Sequence, residues 1–207
     1  LWRDQAWRRA AVAMSHVRSV DTVLDVACGT GDLSLAYANA GAKQVIGLDF
    51  THEMLQVAEF KSSSRKAKHA SRITYADGDA MRLPVPDRSV DIVSIAFGIR
   101  NVADPARAIR EFHRVLKPGG RVMILEFSLP ANPLLRFGYN LYFKHIMPRT
   151  ATLLSRDKTG AYQYLPQSVN TFIDRPRVVA MLAEAGFKNV ALRPLTFGIA
   201  VAYLGYR

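Results

Sequence analysis

Hydrophobic residues occur along this chain in short runs, separated by stretches in which apolar and polar positions follow a helical spacing. Runs of this length and composition, bounded by glycine or charged residues, are typical of buried β-strands. Five of them predict strands: TVLDVA (22–27), KQVIGLDF (43–50), RITYAD (72–77), DIVSIAF (91–97) and RVMILEFS (121–128).

The stretches between these runs predict helices. One covers LSLAYANA (33–40), and a second begins at Glu53 and reaches about Lys61. The pair Asp104-Pro105 opens the next helix, with proline in its first turn, and the Pro-Gly-Gly sequence at 118–120 ends it. Strands that alternate with helices predict an α/β fold in which helices cover both faces of a parallel sheet.

The last part of the chain departs from this alternation. A helix is predicted over 175–185 and is ended by Gly186. Two strand-like runs follow, KNVALRPLTF (188–197) and IAVAYLGYR (199–207), with only Gly198 between them. They predict a closing antiparallel hairpin.

A long segment from about 130 to 170, rich in aromatic and basic residues, has no place in the alternation. Inserts of this length are usually lids or substrate walls. We therefore expect one domain over residues 1–207 with a substrate-covering insertion at about 130–170. Because the sequence begins LWRDQAW without methionine, we also expect a further N-terminal segment.

Composition narrows the class of protein. The chain has 207 residues, of which 49% are hydrophobic and 22% charged, as in a folded globular protein. No apolar run approaches the roughly 20 residues that span a bilayer. A single cysteine, Cys28, cannot form an internal disulfide and suits a reducing compartment, so we expect a cytoplasmic location. No His, Cys or carboxylate spacing predicts a metal site.

The net charge of +11 has three interpretations: nucleic-acid binding, attraction to an anionic membrane surface, or a generic basic face. The basic residues are scattered and form no arginine-rich block or aromatic RNA-binding motif. The charge therefore has two remaining interpretations, peripheral membrane association and a solvated basic surface.

The strongest local motif is VLDVACGTGD, which ends a predicted strand and opens a predicted helix. Ligands of open α/β sheets bind beyond the carboxyl ends of the strands, where the strand order reverses. Gly29 and Gly31 allow the chain to turn sharply and approach a ligand closely, with Thr30 between them. The motif thus predicts a cofactor loop.

The residues around this loop argue for a particular cofactor. The dinucleotide fingerprint needs a third glycine where this chain has Ser34, and Asp25 and Asp32 would repel a pyrophosphate. Carboxylates suit a cationic ligand that carries an amine and a sulfonium, as S-adenosylmethionine does. Asp49, at the end of the second strand, can accept bonds from both ribose hydroxyls, and Asp79 can accept one from the adenine amino group.

With these motifs the chain resembles class I S-adenosylmethionine-dependent methyltransferases. More narrowly, it resembles the ubiquinone/menaquinone biosynthesis C-methyltransferases. The narrower resemblance rests on FGIRNV (97–102), RVLKPGGRVMILEFS (114–128), YQYLPQSV (162–169) and the C-terminal hairpin. It implies a Rossmann-like sheet of seven strands, the last of them antiparallel. The family's tyrosine-asparagine-rich N-terminal motif, which ends near Trp2, has no counterpart in the sequence before that residue.

The resemblance also implies which residues bind the cofactor. It assigns Thr30, Asp49, Asp79 and Ala80, with a further contact at Ala96, where many relatives have serine. A contact at Ala96 would have to come from its backbone.

The implied activity is C-methylation of a polyprenylated quinol, demethylmenaquinol to menaquinol. The ubiquinone substrate 2-methoxy-6-polyprenyl-1,4-benzoquinol, the phylloquinone branch and another small-molecule methyltransferase remain alternatives. An RNA-interacting protein is the alternative from a different class. RNA methyltransferases that attack exocyclic amines carry an Asn/Asp-Pro-Pro-aromatic motif where this chain has FGIRNV, so no nucleic-acid partner is expected.

The FGIRNV motif supplies the candidate catalytic residues. It follows the fourth strand, which lies beside the first in this fold, so its loop should face the methyl group of the cofactor. We expect Arg100 to stabilise the phenolate of the quinol and Asn101 to orient the ring or a bound water. The alternative is that Arg100 pairs with Glu126 or another carboxylate and joins two loops.

Overall fold

The computed structural model describes residues 2–64, 69–130, 132 and 174–207. Within them seven strands form one sheet in the order β3-β2-β1-β4-β5-β7-β6. The strands are β1 (Thr22–Val26), β2 (Gln44–Asp49), β3 (Ile73–Asp77), β4 (Val90–Ala96), β5 (Leu116–Phe127), β6 (Lys188–Leu195) and β7 (Ala200–Tyr206).

The direction of the strands agrees with the expected fold. The pairs β1–β2, β2–β3, β1–β4 and β4–β5 are parallel, whereas β7 is antiparallel to both β5 and β6. The Rossmann-like sheet and the C-terminal hairpin are confirmed. Because β1 lies between β2 and β4, the strand order reverses at its carboxyl end, which is where such sheets bind ligands.

Five α-helices surround the described part of the sheet: α1 (Trp2–Met14), α2 (Asp32–Asn39), α3 (His52–Ser62), α4 (Pro105–Val115) and α5 (Arg175–Glu184). Both α4 and α5 begin with an aspartate whose side chain accepts a hydrogen bond from the backbone three residues later. Such caps satisfy N–H groups that the helix leaves unpaired. Sequence patterning predicted α2 to α5 but assigned no element to residues 2–14.

One boundary was wrong. The Pro-Gly-Gly sequence at 118–120 does not end α4, which stops at Val115, and these residues belong to the first part of β5. Proline cannot continue a helix, since its ring clashes with the carbonyl four residues earlier. Leu116 is already extended and fully buried, and the pairing of β4 with β5 shifts register between Val90 and Ile92.

Hydrophobic cores lie on both faces of the sheet, because neighbouring strand residues point to opposite sides. Leu24 packs in a core with Phe112 of α4 and Leu182 of α5. Val23, the preceding residue, packs in the other core with Val12 of α1 and residues of α2. The helices therefore cover both faces, as predicted.

The end of α1 is fixed to the sheet by a buried ion pair. Arg121 of β5 and Asp21 lie 2.6 Å apart, and Arg121 also donates hydrogen bonds to the carbonyls of Ser15 and His16. Burial alone would raise the pKa of Asp21, but hydrogen bonds from Arg18 and Arg121 lower it below its usual value. Through its bonds to Ser15 and His16, the paired Arg121 joins the residues that directly follow α1 to the sheet.

The predicted insertion lies almost wholly outside the described residues. In the part that the structure describes, no helix is both long and apolar enough to cross a membrane.

Candidate active site

A cavity of about 600 Å³ opens at the carboxyl ends of β1, β2, β3 and β4. We call it the edge cavity. Its described lining comprises residues 27–30, 49–51, 78–81, 96–98 and 101–103 together with Arg8, Asp32 and Met54. The strand ends thus bring together most of the residues that the sequence singled out: Gly29, Thr30, Asp49, Asp79, Ala80, Ala96 and Asn101.

The loop after β1 adopts the backbone conformation that its glycines permit. Gly29 and Gly31 have φ angles of 55° and 77°, in the left-handed region. A side chain at Gly31 would also collide with the Tyr75 hydroxyl. The loop is tied to β2, because the Gly29 N–H donates to Asp49 Oδ2 at 2.7 Å and the Cys28 N–H donates to the Leu48 carbonyl at 2.9 Å.

Asp49 is held rigidly by backbone donors. Besides Gly29, the Thr51 N–H donates to its other oxygen, Oδ1, at 2.9 Å. Each carboxylate oxygen can accept a second hydrogen bond, and the residue lines the edge cavity. The carboxylate can therefore accept bonds from two neighbouring hydroxyl groups without moving.

Asp79 occupies the corresponding place after β3. Its Oδ1 accepts from the Met81 N–H at 2.8 Å. The nearby cavity wall is apolar: Phe50 and Met54 are 82% and 46% exposed although both are large hydrophobic residues. This end of the cavity can hold a flat ring that has a hydrogen-bond donor at its edge. Neither Phe50 nor Met54 was predicted to line the site, although Phe50 could have been recognised as an aromatic residue directly after the strand that ends in Asp49.

Asp25 and Gly31 are not among the described residues that line the cavity. Asp25 is 1% exposed and lies beneath the glycine loop, where the hydroxyls of Ser34 and Ser94 donate to it at 2.6 and 3.3 Å. Burial raises the pKa of Asp25 to about 6, against the opposing effect of these hydroxyls. Its position suits support of the loop more directly than contact with a ligand.

Asp32 lines the cavity, but its charge is already compensated. Lys61 of α3 bonds to Asp32 Oδ1 and donates to Thr30 Oγ1 at 3.1 Å. This bridge joins α3 to the start of α2 across the glycine loop.

The loop after β4 separates its two candidate catalytic residues. Asn101 lines the edge cavity, whereas Arg100 is absent from the described lining. The Arg100 guanidinium donates to Glu126 Oε1 at 2.7 Å and to the Phe97 carbonyl at 2.6 Å, and both paired side chains are less than a tenth exposed. The pairing with Glu126 is the arrangement that the sequence analysis raised as the alternative.

Glu126 also organises the backbone of this loop. Its oxygens accept from the N–H groups of Arg100 at 3.3 Å and Phe127 at 2.7 Å. Burial raises the pKa of Glu126, while the Arg100 charge acts in the opposite direction. The carboxylate thus fixes the turn that directs Asn101 into the cavity.

Helix α1 adds two residues that the sequence analysis missed. Trp7 donates from Nε1 to Thr196 Oγ1 at 2.8 Å, and its ring lies 6.1 Å from Phe97 and 5.9 Å from Phe127. Arg8 lines the edge cavity beside Phe97. No element was predicted at residues 2–14, so nothing in the pattern placed these side chains near the glycine loop.

Among the described residues, no three His, Cys, Asp or Glu side chains gather as metal ligands would. The sheet order is that of a Rossmann-like fold. A crystal structure of a SAM dependent methyltransferase from Aquifex aeolicus matches with a TM-score of 0.68 and 18% identity over 96% of this chain and 88% of that one. The [4+2]-cyclase SpnF matches with a TM-score of 0.73 and 17% identity over 98% of this chain and 80% of that one. These likenesses show the fold alone.

Sequence similarity defines the family. The model of the ubiE/COQ5 methyltransferase family matches residues 1–207, and the chain belongs to this family. A protein named demethylmenaquinone methyltransferase from Staphylococcus carnosus is 42% identical over 99% of this chain and 83% of that relative. The Geobacter sp. protein named ubiquinone/menaquinone biosynthesis C-methyltransferase UbiE is 41% identical over 98% of this chain and 85% of that relative. The resemblance inferred from FGIRNV and its companion motifs is confirmed.

Proposed function

We propose that this protein transfers the methyl group of S-adenosylmethionine to a ring carbon of a polyprenylated quinol, converting demethylmenaquinol to menaquinol. The observation that carries the proposal is the edge cavity, in which Asp49 and Asp79 stand at the carboxyl ends of adjacent strands. Family membership and the name of the relative from Staphylococcus carnosus support the choice of substrate.

The residues of the cavity fit this cofactor. The Asp49 carboxylate would accept from the ribose hydroxyls, and Asp79 would accept from the adenine amino group, with Phe50 against the ring. Thr30, Ala80 and the backbone of Ala96 would complete the contacts, while Gly29 leaves room for close approach. When bound, S-adenosylmethionine supplies an electrophilic methyl group on a sulfonium.

Asn101 and Arg100 would act on the quinol. A ring carbon is a poor nucleophile until a neighbouring hydroxyl loses its proton and the resulting charge is shared with that carbon. Asn101, which lines the cavity, would orient the ring or a water molecule that takes this proton. Arg100 would lower the energy of the phenolate, acting from a guanidinium that Glu126 already orients. The site must also exclude water and hold the two reacting atoms close together.

The redox state of the substrate provides the test. The protein would be assayed with a short-chain demethylmenaquinone, with and without dithionite, and products would be identified by mass spectrometry. We expect methylation only under reducing conditions, because the oxidised ring has no hydroxyl proton to lose and is poor in electrons. Equal turnover in both conditions would contradict the mechanism.

A second substrate deserves the same assay. The Geobacter relative carries a name that covers ubiquinone as well as menaquinone biosynthesis. Turnover of a 2-methoxy-6-polyprenyl-1,4-benzoquinol analogue at a rate similar to that of the naphthoquinol would extend the proposal to the ubiquinone branch. Turnover of the naphthoquinol alone would restrict the proposal to the menaquinone branch.

A further inference from the structure

Arg8 is the only basic residue among those described in the lining of the edge cavity. The other charged residues in that lining are Asp32, Asp49 and Asp79. The adenine and ribose end is therefore acidic, and the opposite end, near β4, carries one guanidinium. A ligand with an anionic group at one end would match this distribution.

Contacts of its neighbours hold Arg8 in place. Trp7 anchors α1 to Thr196 and packs on Phe97, as described above. The guanidinium carbon of Arg8 lies 5.3 Å from the centroid of the Phe97 ring, which belongs to the loop after β4. Arg8 is thus oriented beside the end of β4 before any ligand arrives.

The hydrogen-bonding capacity of Arg8 is incompletely used. Its Nε is buried and has no hydrogen-bond partner among the described residues. Asp4, one helical turn earlier, does not supply one, since its own buried Oδ1 also lacks a described partner. A buried donor without a partner costs free energy, so protein acceptors do not saturate this guanidinium. Arg8 as a whole is half-buried and lines the edge cavity, so its other nitrogens can donate to a ligand there.

The nearby carboxylates are engaged elsewhere. Asp25 accepts from Ser34 and Ser94, and Asp32 is paired with Lys61. Neither forms an ion pair with Arg8 within the described part of the chain. The guanidinium therefore remains available to a group inside the cavity.

We propose that Arg8 binds the carboxylate of the amino-acid part of S-adenosylmethionine. This inference rests on the proposed function. In that cofactor the carboxylate lies at the end of the molecule opposite adenine, so a ligand held by Asp79 after β3 and Asp49 after β2 directs this group toward β4. The planar fork of a guanidinium matches the two oxygens of a carboxylate.

Binding of two related ligands tests the assignment without any catalytic step. S-adenosylhomocysteine contains the amino-acid carboxylate, whereas 5′-methylthioadenosine lacks the amino-acid group but keeps adenine and ribose. Titration calorimetry on the Arg8→Met variant should show about 10- to 100-fold weaker binding of S-adenosylhomocysteine, the loss expected for a charged hydrogen-bond partner. Binding of methylthioadenosine should remain that of the wild type.

Two further variants make the result specific. Arg9→Met removes the same charge from an exposed residue of α1 that is absent from the described lining of the edge cavity, and it should bind both ligands normally. Arg8→Lys keeps the charge but not the fork, so it should recover part of the lost affinity.

Each contrary result has a distinct meaning. Equal losses for both ligands in Arg8→Met, or no loss for either, would overturn the role of Arg8 while leaving the proposed function intact. Failure of the wild-type protein to bind either ligand would overturn the proposed function itself, and this inference with it.

Discussion

The charged side chains near the two ends of the edge cavity have different partners. At the β2 and β3 end, Asp49 and Asp79 are held by backbone N–H groups, so their charges stay available to a ligand. Beyond the ends of β4 and β5, the Arg100 charge is matched by Glu126 in a buried pair behind the cavity wall, and Asn101 and Arg8 line the cavity on this side.

Under the proposed function, this difference would separate ligand binding from chemistry. Backbone donors orient a carboxylate without cancelling its charge, and they suit the recognition of hydroxyl and amino groups. A buried ion pair instead creates a preorganised electrostatic environment, which is costly to break and which can stabilise charge that develops only during a reaction. Removing charges at the first end should therefore alter ligand affinity, and breaking the Arg100–Glu126 pair should alter stability and turnover.

The largest effect is expected at the buried pair. Arg100→Met leaves Glu126 buried without its partner, which should cost about 3–5 kcal/mol in the free energy of unfolding. If Arg100 also stabilises the phenolate, kcat should fall by roughly 10²–10³. Chemical denaturation and steady-state kinetics would measure the two effects.

A double variant separates stability from catalysis. Arg100→Met combined with Glu126→Met removes both charges and should regain most of the lost stability. Turnover should stay low if the guanidinium acts on the substrate, with the affinity for S-adenosylhomocysteine nearly unchanged. Near-normal turnover in the stable double variant would show that Arg100 only joins two loops.

The next effect concerns Asp25 and depends on pH. Its pKa is about 6 in the folded protein because of burial, against a usual value of 3.8. The folded state therefore binds the proton more tightly, and stability contributed by the protonated form is lost as pH rises from about 4 to about 6. The loss should approach 3 kcal/mol, at about 1.4 kcal/mol per unit of pKa.

Thermal melts of wild type and Asp25→Asn between pH 4 and pH 8 would check this. Asparagine does not titrate, so the variant should gain stability relative to wild type as pH rises through this range. A difference in melting temperature that is independent of pH would mean that Asp25 does not titrate as described.

At the binding end, Asp49→Ala should weaken S-adenosylhomocysteine by about 1.5–3 kcal/mol, as expected for a lost charged partner. Asp77→Ala is a matched control, since Asp77 ends the neighbouring strand β3, is exposed and is absent from the described lining of the cavity. Titration calorimetry should show normal affinity for the control. Unchanged affinity in a folded Asp49→Ala protein would remove Asp49 from the cofactor site.

The smallest effect is expected from the net charge of +11. Basic residues near an anionic bilayer contribute about 1 kcal/mol each, and salt screens them. Vesicles that contain anionic lipid should therefore bind the protein weakly and release it as salt is added. Binding that ignores lipid charge would leave these residues as a solvated basic surface.

The sequence alone was sufficient to predict the sheet and several residues at its carboxyl edge. Alternating runs predicted all seven strands, and the residues at their carboxyl ends converge because parallel strands end at the same edge. Gly29, Asp49 and Asp79 were placed at this edge in this way, and they line the edge cavity, since each belongs to a short motif that follows or ends a strand. Local pattern and known geometry together are enough when a site consists of strand ends.

Only the tertiary structure decided how the rest is arranged. Trp7 and Thr196 are 189 positions apart, and nothing near residue 7 indicates that α1 reaches the hairpin or that Arg8 enters the cavity. Asp25 was predicted to bind the ligand because its carboxylate precedes the glycine loop. In the structure it is buried beneath that loop. The choice of Glu126 as the partner of Arg100 likewise depends on how β4 and β5 are packed. Pairing of charges and burial are set by contacts distant in sequence, and these are determined only when the whole core assembles.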